Sequence, residues 1–282
     1  MEPVVESESS PDGIDGRFWA PRWWAVFGIG LVLWIGAVAV TYLTGDILLV
    51  PTVVLLGSFL VPVSGVAWYL DHDRSVALSP RRVISAFIIA GAVGVLSAAT
   101  LEYYLVSGAG LVGLIKVGFI EEIVKGILVV LVAFGIRSFH TRDGMVLGAA
   151  VGFGFAALES SGYALLSLFV VQGNQLFLSF PSLVMNELVR GLLAPFAHGM
   201  WTAILGGAIF AAAQRRLDLR AAGAVVGAYV LVSLLHTGFD TVGGIVGYVV
   251  ISLIGLIPLV GMWIRAGGRT ALARTRTIRR VA

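Results

Sequence analysis

Between Trp23 and Thr44 the chain reads WWAVFGIGLVLWIGAVAVTYLT, an unbroken run with no charged side chain. A helix of about 20 apolar residues crosses roughly 30 Å of hydrocarbon, so this run is a membrane span on length alone. Reading outward from it, seven more stretches have the same character: Leu48–Leu70, Val83–Val106, Leu111–Ile136, Gly144–Val171, Pro181–Ala213, Ala221–Phe239 and Val242–Ile264. The composition agrees. Of 282 residues, 58% are hydrophobic and 12% charged, and the mean hydropathy is +0.97. Soluble domains carry about a quarter charged residues, so this chain cannot clothe a water-facing globule. The predicted fold class is an all-α, polytopic membrane helical bundle of about eight transmembrane helices.

The basic residues orient that bundle. Sixteen of the nineteen lie before span one or after spans two, four, six and eight, and the alternate loops contain no Lys or Arg. The positive-inside rule then predicts that both termini are cytoplasmic. Trp19, Trp23, Trp24, Trp68 and Trp263 fall near the inner interface, and Tyr103 and Tyr104 near the outer one, as aromatic belts require. The expected organisation is an acidic, disordered lead-in over 1–22, a transmembrane domain over 23–265 and a basic cytoplasmic tail over 266–282. The lead-in lacks the basic start and small-residue cleavage site of a signal peptide, so the first span is expected to be retained. The arginines of the tail read as an orientation signal beside anionic lipid rather than a nucleic-acid site. With no cysteine in the chain, disulfides, thiolate metal sites and cysteine nucleophiles are excluded.

Against this apolar background, ionisable residues inside the spans stand out: Lys116, Glu121, Glu122, Lys125, Glu159, Glu187, Arg190, His198, His236 and Asp240. Each costs on the order of 2.5–3.5 kcal/mol at mid-span on insertion scales, so each needs a partner or a function. Lys116 can snorkel at a span end, and Glu102 reads as an interfacial residue. Lys125 is i+4 from Glu121 and i+3 from Glu122, offsets that share a helix face. Glu187 with Arg190 (i, i+3) and His236 with Asp240 (i, i+4) are further expected pairs, and Tyr163 is one turn from Glu159. Depth ties them together. Glu122 is 15 residues from Arg137, Glu159 is 16 from Asp143, His198 is 17 from Arg215 and His236 is 16 from Arg220. At ~1.5 Å per residue all four lie roughly 22–26 Å from the inner edge, in one layer toward the outer leaflet. A single site explains the shared depth, whereas unrelated pairs do not.

Histidine and carboxylate without cysteine form a nitrogen and oxygen donor set suited to zinc, cobalt or manganese. Such an ion acidifies a water, and a nearby carboxylate can take its proton during attack on a peptide carbonyl and return it to the leaving amine. The same buried groups also suit a proton- or divalent-ion-coupled transporter, although the inverted repeats of many transporters are not visible. His-Glu-x-x-His, a Gly-x-Ser-Gly nucleophile loop and a Gly-x-Gly-Asp aspartate are absent from the sequence. Pro195, three residues before His198 in a long sixth span, removes a backbone donor and is expected to kink the helix. Gly148 and Gly152 form a small-xxx-small pair suited to close helix packing.

The order Glu121-Glu122-Ile123-Val124-Lys125, then Gly152 to Glu159, then Arg190 through Pro195 to His198, then His236-Thr237-Gly238-Phe239-Asp240 resembles the PrsW family of intramembrane metalloproteases. It also resembles the related CAAX prenyl endopeptidases, with their Glu-Glu-x-x-x-Arg, Phe-x-x-x-His and His-x-x-x-Asn pattern. The resemblance covers a motif core over 111–240. It implies a multi-pass protein of a prokaryotic cell membrane that cuts single-pass membrane proteins near the extracytoplasmic face, as in the first cut of an anti-sigma factor. It further implies that Glu121 and Glu122 are the catalytic pair, with Glu121 favoured as base. Glu159, His198 and His236 would hold a divalent metal, zinc first, or activate water, and Lys125, Arg190 and Asp240 would support them. Two positions depart from the pattern: Ser160 stands where Asn is expected and Phe239 where Trp is expected.

Overall fold

The computed structural model describes residues 22–72, 78–108, 110–215, 218–242 and 244–281, with side chains through Gly267. Apart from Arg22, the acidic lead-in expected over 1–22 lies outside them. The described chain forms nine α-helices and one short hairpin: α1 (Trp23–Thr44), α2 (Val50–His72), α3 (Pro80–Ile89), α4 (Val95–Leu105), α5 (Leu111–Val132), α6 (Thr141–Leu168), β1 (Phe169–Gln172), β2 (Gln175–Leu178), α7 (Phe180–Gln214), α8 (Leu219–Val242) and α9 (Gly244–Val281). A 3₁₀ turn, Ile47–Leu49, leads into α2, and a π-helical turn, Ala90–Gly94, joins α3 to α4. Through that turn, Pro80–Leu105 acts as one span.

Eight helical units therefore stand where eight spans were expected. Seven are long and apolar enough to cross a membrane among the described residues. The eighth, α5, is 22 residues long and carries Lys116, Glu121, Glu122 and Lys125. The protein is a multi-pass integral membrane bundle. Three boundaries differ from the sequence reading. Asp240 and Thr241, read as a loop, belong to α8, which runs on to Val242. The segment Gln172–Phe180, also read as a loop, contains a strand, and the hairpin pairs Phe169 with Leu178 and Gln172 with Gln175. Gly173 turns it with φ of 61°, a conformation glycine enters without steric penalty. α9 continues to Val281, through the region read as a tail.

Burial separates an inner from an outer set of helices. α6 and α7 are the most enclosed, each burying residues along its length, whereas α1 buries Trp34 and Thr41. Glycine brings α6 and α7 together. A Cβ on Gly144 would meet the backbone oxygen of Gly206, one on Gly148 that of Thr202, and one on Gly152 that of His198. The pair expected to pack, Gly148 and Gly152, is thus part of a longer stripe, along which the two backbones touch. A comparable approach sets α5 on α8, where a Cβ on Gly118 would lie 2.9 Å from the Ser233 backbone oxygen. The Tyr229 hydroxyl on α8 donates to the Phe119 carbonyl on α5 at 2.9 Å. α7 is helical throughout Phe180–Gln214, with Pro195 buried inside it.

Candidate metal centre

α5, α6, α7 and α8 each bring one turn of polar residues to a common point. Glu121, Glu122 and Lys125 come from α5, Glu159 from α6, His198 from α7, and His236 with Asp240 from α8. Glu122, Lys125, His198 and His236 are each no more than 1% exposed and Glu121 is 5% exposed. Buried away from bulk water, they must largely satisfy one another.

Lys125 is the hub. Its Nζ donates to Glu121 Oε2 at 3.0 Å and to Glu122 Oε1 at 2.9 Å, and lies 2.7 Å from His198 Nδ1. The i+3 and i+4 spacing read from the sequence is therefore realised on both glutamates at once. Phe155 covers the ammonium, with Nζ 4.0 Å from the ring centroid. His198 Nε2 faces Glu159 Oε2 at 3.1 Å, and the other oxygen of Glu159 accepts from Arg190 Nη2 at 2.8 Å. On the far side of Lys125, His236 Nδ1 meets Glu122 Oε1 at 3.0 Å, while its Nε2 faces Asp240 Oδ2 at 3.4 Å and Glu121 Oε2 at 3.6 Å.

These contacts give the two imidazoles different characters. A carboxylate only accepts, so Glu122 holds hydrogen on His236 Nδ1 and turns Nε2 toward Glu121 and Asp240, the arrangement in which a carboxylate orients a metal-ligating histidine. His198 has Lys125 donating to Nδ1, so a neutral ring carries its hydrogen on Nε2, toward Glu159. A ligand role for His198 requires one of those two contacts to be exchanged for the ion.

Glu121, His198 and His236 each offer a ligand atom within 4.8 Å of the other two. One carboxylate oxygen and two imidazole nitrogens, all buried, fit a divalent ion such as zinc. Glu159 stands beside this group, against His198 and Arg190. Glu122 lies behind it, with Oε1 engaged by Lys125 and His236, and its buried Oε2 has no hydrogen-bond partner.

Two expected local pairs do not form. Glu187 turns away from Arg190 and accepts a hydrogen bond from the Ser58 hydroxyl of α2 at 2.6 Å, while Glu159 of α6 claims Arg190. Tyr163 reaches the site through Arg190, whose guanidinium carbon lies 3.9 Å from the ring centroid. Lys116, expected to snorkel, donates to the Leu105 carbonyl at 3.2 Å.

The sequence reading missed several parts of the site. Trp201 stacks on His236 with centroids 5.0 Å apart at 29° and lies 5.4 Å from the His198 ring. Its signal was one apolar residue among many, three positions after His198. Glu102, read as an interfacial residue, lines a cavity of about 200 Å³ with Glu121, Glu159 and Tyr163. A second cavity, about 650 Å³, is lined by Tyr163 and Arg190 together with residues of α7 and α9.

Residues 79–264 match one protein family, described as PrsW family intramembrane metalloprotease. The match takes in α3 to α8 and most of α9, including every residue of the polar centre. No curated protein and no solved structure matches the chain.

Proposed function

The chain belongs to the PrsW family of intramembrane metalloproteases, and from that premise we propose that the buried centre of α5 to α8 hydrolyses peptide bonds of single-pass membrane proteins. The observation that carries the reading is the meeting of Glu121, His198 and His236 within one ligand-sized volume. These three residues would hold the ion, zinc by the chemistry of the donors. Bound there, it would supply Lewis acidity, polarising a peptide carbonyl and acidifying water.

The chain's own residues do the rest. Glu122, through His236 Nδ1, fixes the tautomer and orientation of that imidazole. Lys125 sets its ammonium between the two adjacent glutamates and so offsets part of the cost of burying them. Glu121 and Glu159 are the two polar-centre carboxylates that line the smaller cavity, so they are the ones a water or peptide can reach. The sequence reading made Glu121 and Glu122 the catalytic pair, with Glu121 favoured as base, and Glu159 a ligand; the cavity lining and the ligand-sized grouping favour Glu159 as base and Glu121 as ligand. Glu159 takes the proton of the attacking water and returns it to the leaving nitrogen, while Arg190 holds its other oxygen. Asp240, facing His236 Nε2, supports that ring.

The charge pattern puts both termini in the cytoplasm and the centre toward the outer leaflet. Cleavage near the extracytoplasmic face, a site-1-type cut, follows from that orientation, and an anti-sigma factor of a prokaryotic membrane is the substrate the resemblance suggests. The family match favours proteolysis over ion transport for the same layer of buried groups.

Metal analysis of the purified full chain tests the centre. About one equivalent of zinc is expected, removed by chelators together with cleavage of a single-span reporter, and lost in Glu121→Gln and His236→Ala. Metal-free protein whose cleavage ignores chelators overturns the ligand assignment. Comparing membrane-anchored fragments with and without the gene tests the substrate class, and a reporter fused to the C-terminus tests orientation.

A further inference from the structure

The larger cavity lies between α6, α7 and α9, has a volume of about 650 Å³, and is walled by Tyr163, Asn186, Val189, Arg190, Ile245 and Tyr248 among others. Pockets that take small molecules and cofactors fall in this range, roughly 300–1,000 Å³. Tyr163 is a wall of this cleft and also of the smaller cavity that holds Glu121 and Glu159, and Arg190, another wall of the cleft, bonds Glu159, so a chain lying in the cleft is one side chain away from the proposed base. The lining is mostly apolar, but two polar groups in it lack partners: the Asn186 side-chain oxygen and Arg190 Nε are buried without a hydrogen bond. One accepts and the other donates, the two functions that a peptide backbone presents in return.

A helical segment satisfies its own backbone in lipid, whereas an extended segment must find donors and acceptors elsewhere. Proteolysis needs the extended form. At the same end of α6 and α7, β1 and β2 form a two-stranded sheet, which among the described residues leaves an outer edge on each strand. We infer that the cleft between α6, α7 and α9 is the substrate channel, taking an extended, locally unwound segment of a membrane-anchored protein, with Asn186 and Arg190 bonding its backbone. The inference rests on the protease reading, and it assigns where the chain to be cut lies rather than how it is cut.

The test uses the full chain carrying Glu121→Gln in liposomes with a single-span peptide whose outer end contains a Gly-Pro helix break. A photoreactive benzophenone side chain replaces Ile245 in the cleft, Leu166 in the smaller cavity, or Leu131, which is 62% exposed on α5. Adducts to the peptide are expected at position 245 and not at 131 or 166. In the otherwise native chain, Asn186→Leu is expected to raise KM for the reporter about fivefold with kcat within twofold, the effect of one lost hydrogen bond. Adducts confined to position 166, no adduct at 245, phospholipid adducts at 245 that the peptide fails to displace, or an unchanged KM each overturn the assignment. Adduct formation needs no cleavage. Native protein that cleaves without cleft adducts sinks the channel alone, and cleft adducts on a protein with no metal and no cleavage sink the protease reading instead.

Discussion

α1 and α5 are each 22 residues long and obey opposite rules. α1 is apolar on every side and leaves Val32, Leu33, Tyr42 and Leu43 more than half exposed, the surface that lipid covers. α5 is as apolar between its charges, yet it carries two glutamates and two lysines and buries nine residues, Glu121, Glu122 and Lys125 among them. The difference is coverage. α1 meets hydrocarbon and needs only to be apolar, whereas α5 is surrounded by α6, α7 and α8, whose own polar groups pay for its charges. Charge within a membrane is tolerated where other helices complete it, and it then marks the place where function sits.

That contrast can be broken at either helix. The largest effect is expected on the α5 side: Glu122→Ala, which removes the carboxylate that orients His236, should lower reporter cleavage by about 10–100-fold. Turnover in proteoliposomes checks it, with normal membrane insertion as the control. Lys125→Met should come next. Removing one partner of a buried ion pair costs about 3–5 kcal/mol, read as a fall in thermal midpoint in detergent. Adding Glu122→Gln should recover part of it, because the charge left unpaired is then removed as well.

A smaller effect is expected where the helices touch. Gly152→Ala places a Cβ against the His198 carbonyl, and overpacking of this kind costs about 1–3 kcal/mol. Activity should fall further than stability, since the same shift moves His198 relative to Glu159; parallel melting and cleavage assays separate the two. The smallest effect belongs to α1. Leu33→Ala on the lipid face should change stability by no more than about 0.5 kcal/mol and leave cleavage unaltered. A large loss there would mean that α1 is held by contacts its exposed surface does not reveal.

The polar centre was unusually legible. In a bundle with so few charges, the ionisable residues inside spans announce themselves, and counting residues from the flanking charges, Asp143 and three arginines, aligned Glu122, Glu159, His198 and His236 before any coordinates. The helix-local pairs Lys125 with Glu121 and Glu122, and His236 with Asp240, could be read because backbone geometry sets their members on one helix face. Glu187 and Arg190 satisfy the same spacing rule and do not pair, since each is claimed by another helix: Ser58 on α2 and Glu159 on α6. Trp201 and Glu102 could not be singled out, because an aromatic or an interfacial glutamate has no signature until its neighbours are known.

By itself, then, the sequence determined that the chain crosses a membrane several times, where its helices run, and which residues carry charge too costly to be idle. Those properties depend on composition, period and transfer free energy, all of them local. Only the tertiary structure decided which carboxylate meets which imidazole, that Lys125 joins three of them, and that clefts lie on both sides of Tyr163. Those outcomes depend on helix rotation and register, which are set by glycine contacts between distant segments and cannot be read from any one of them.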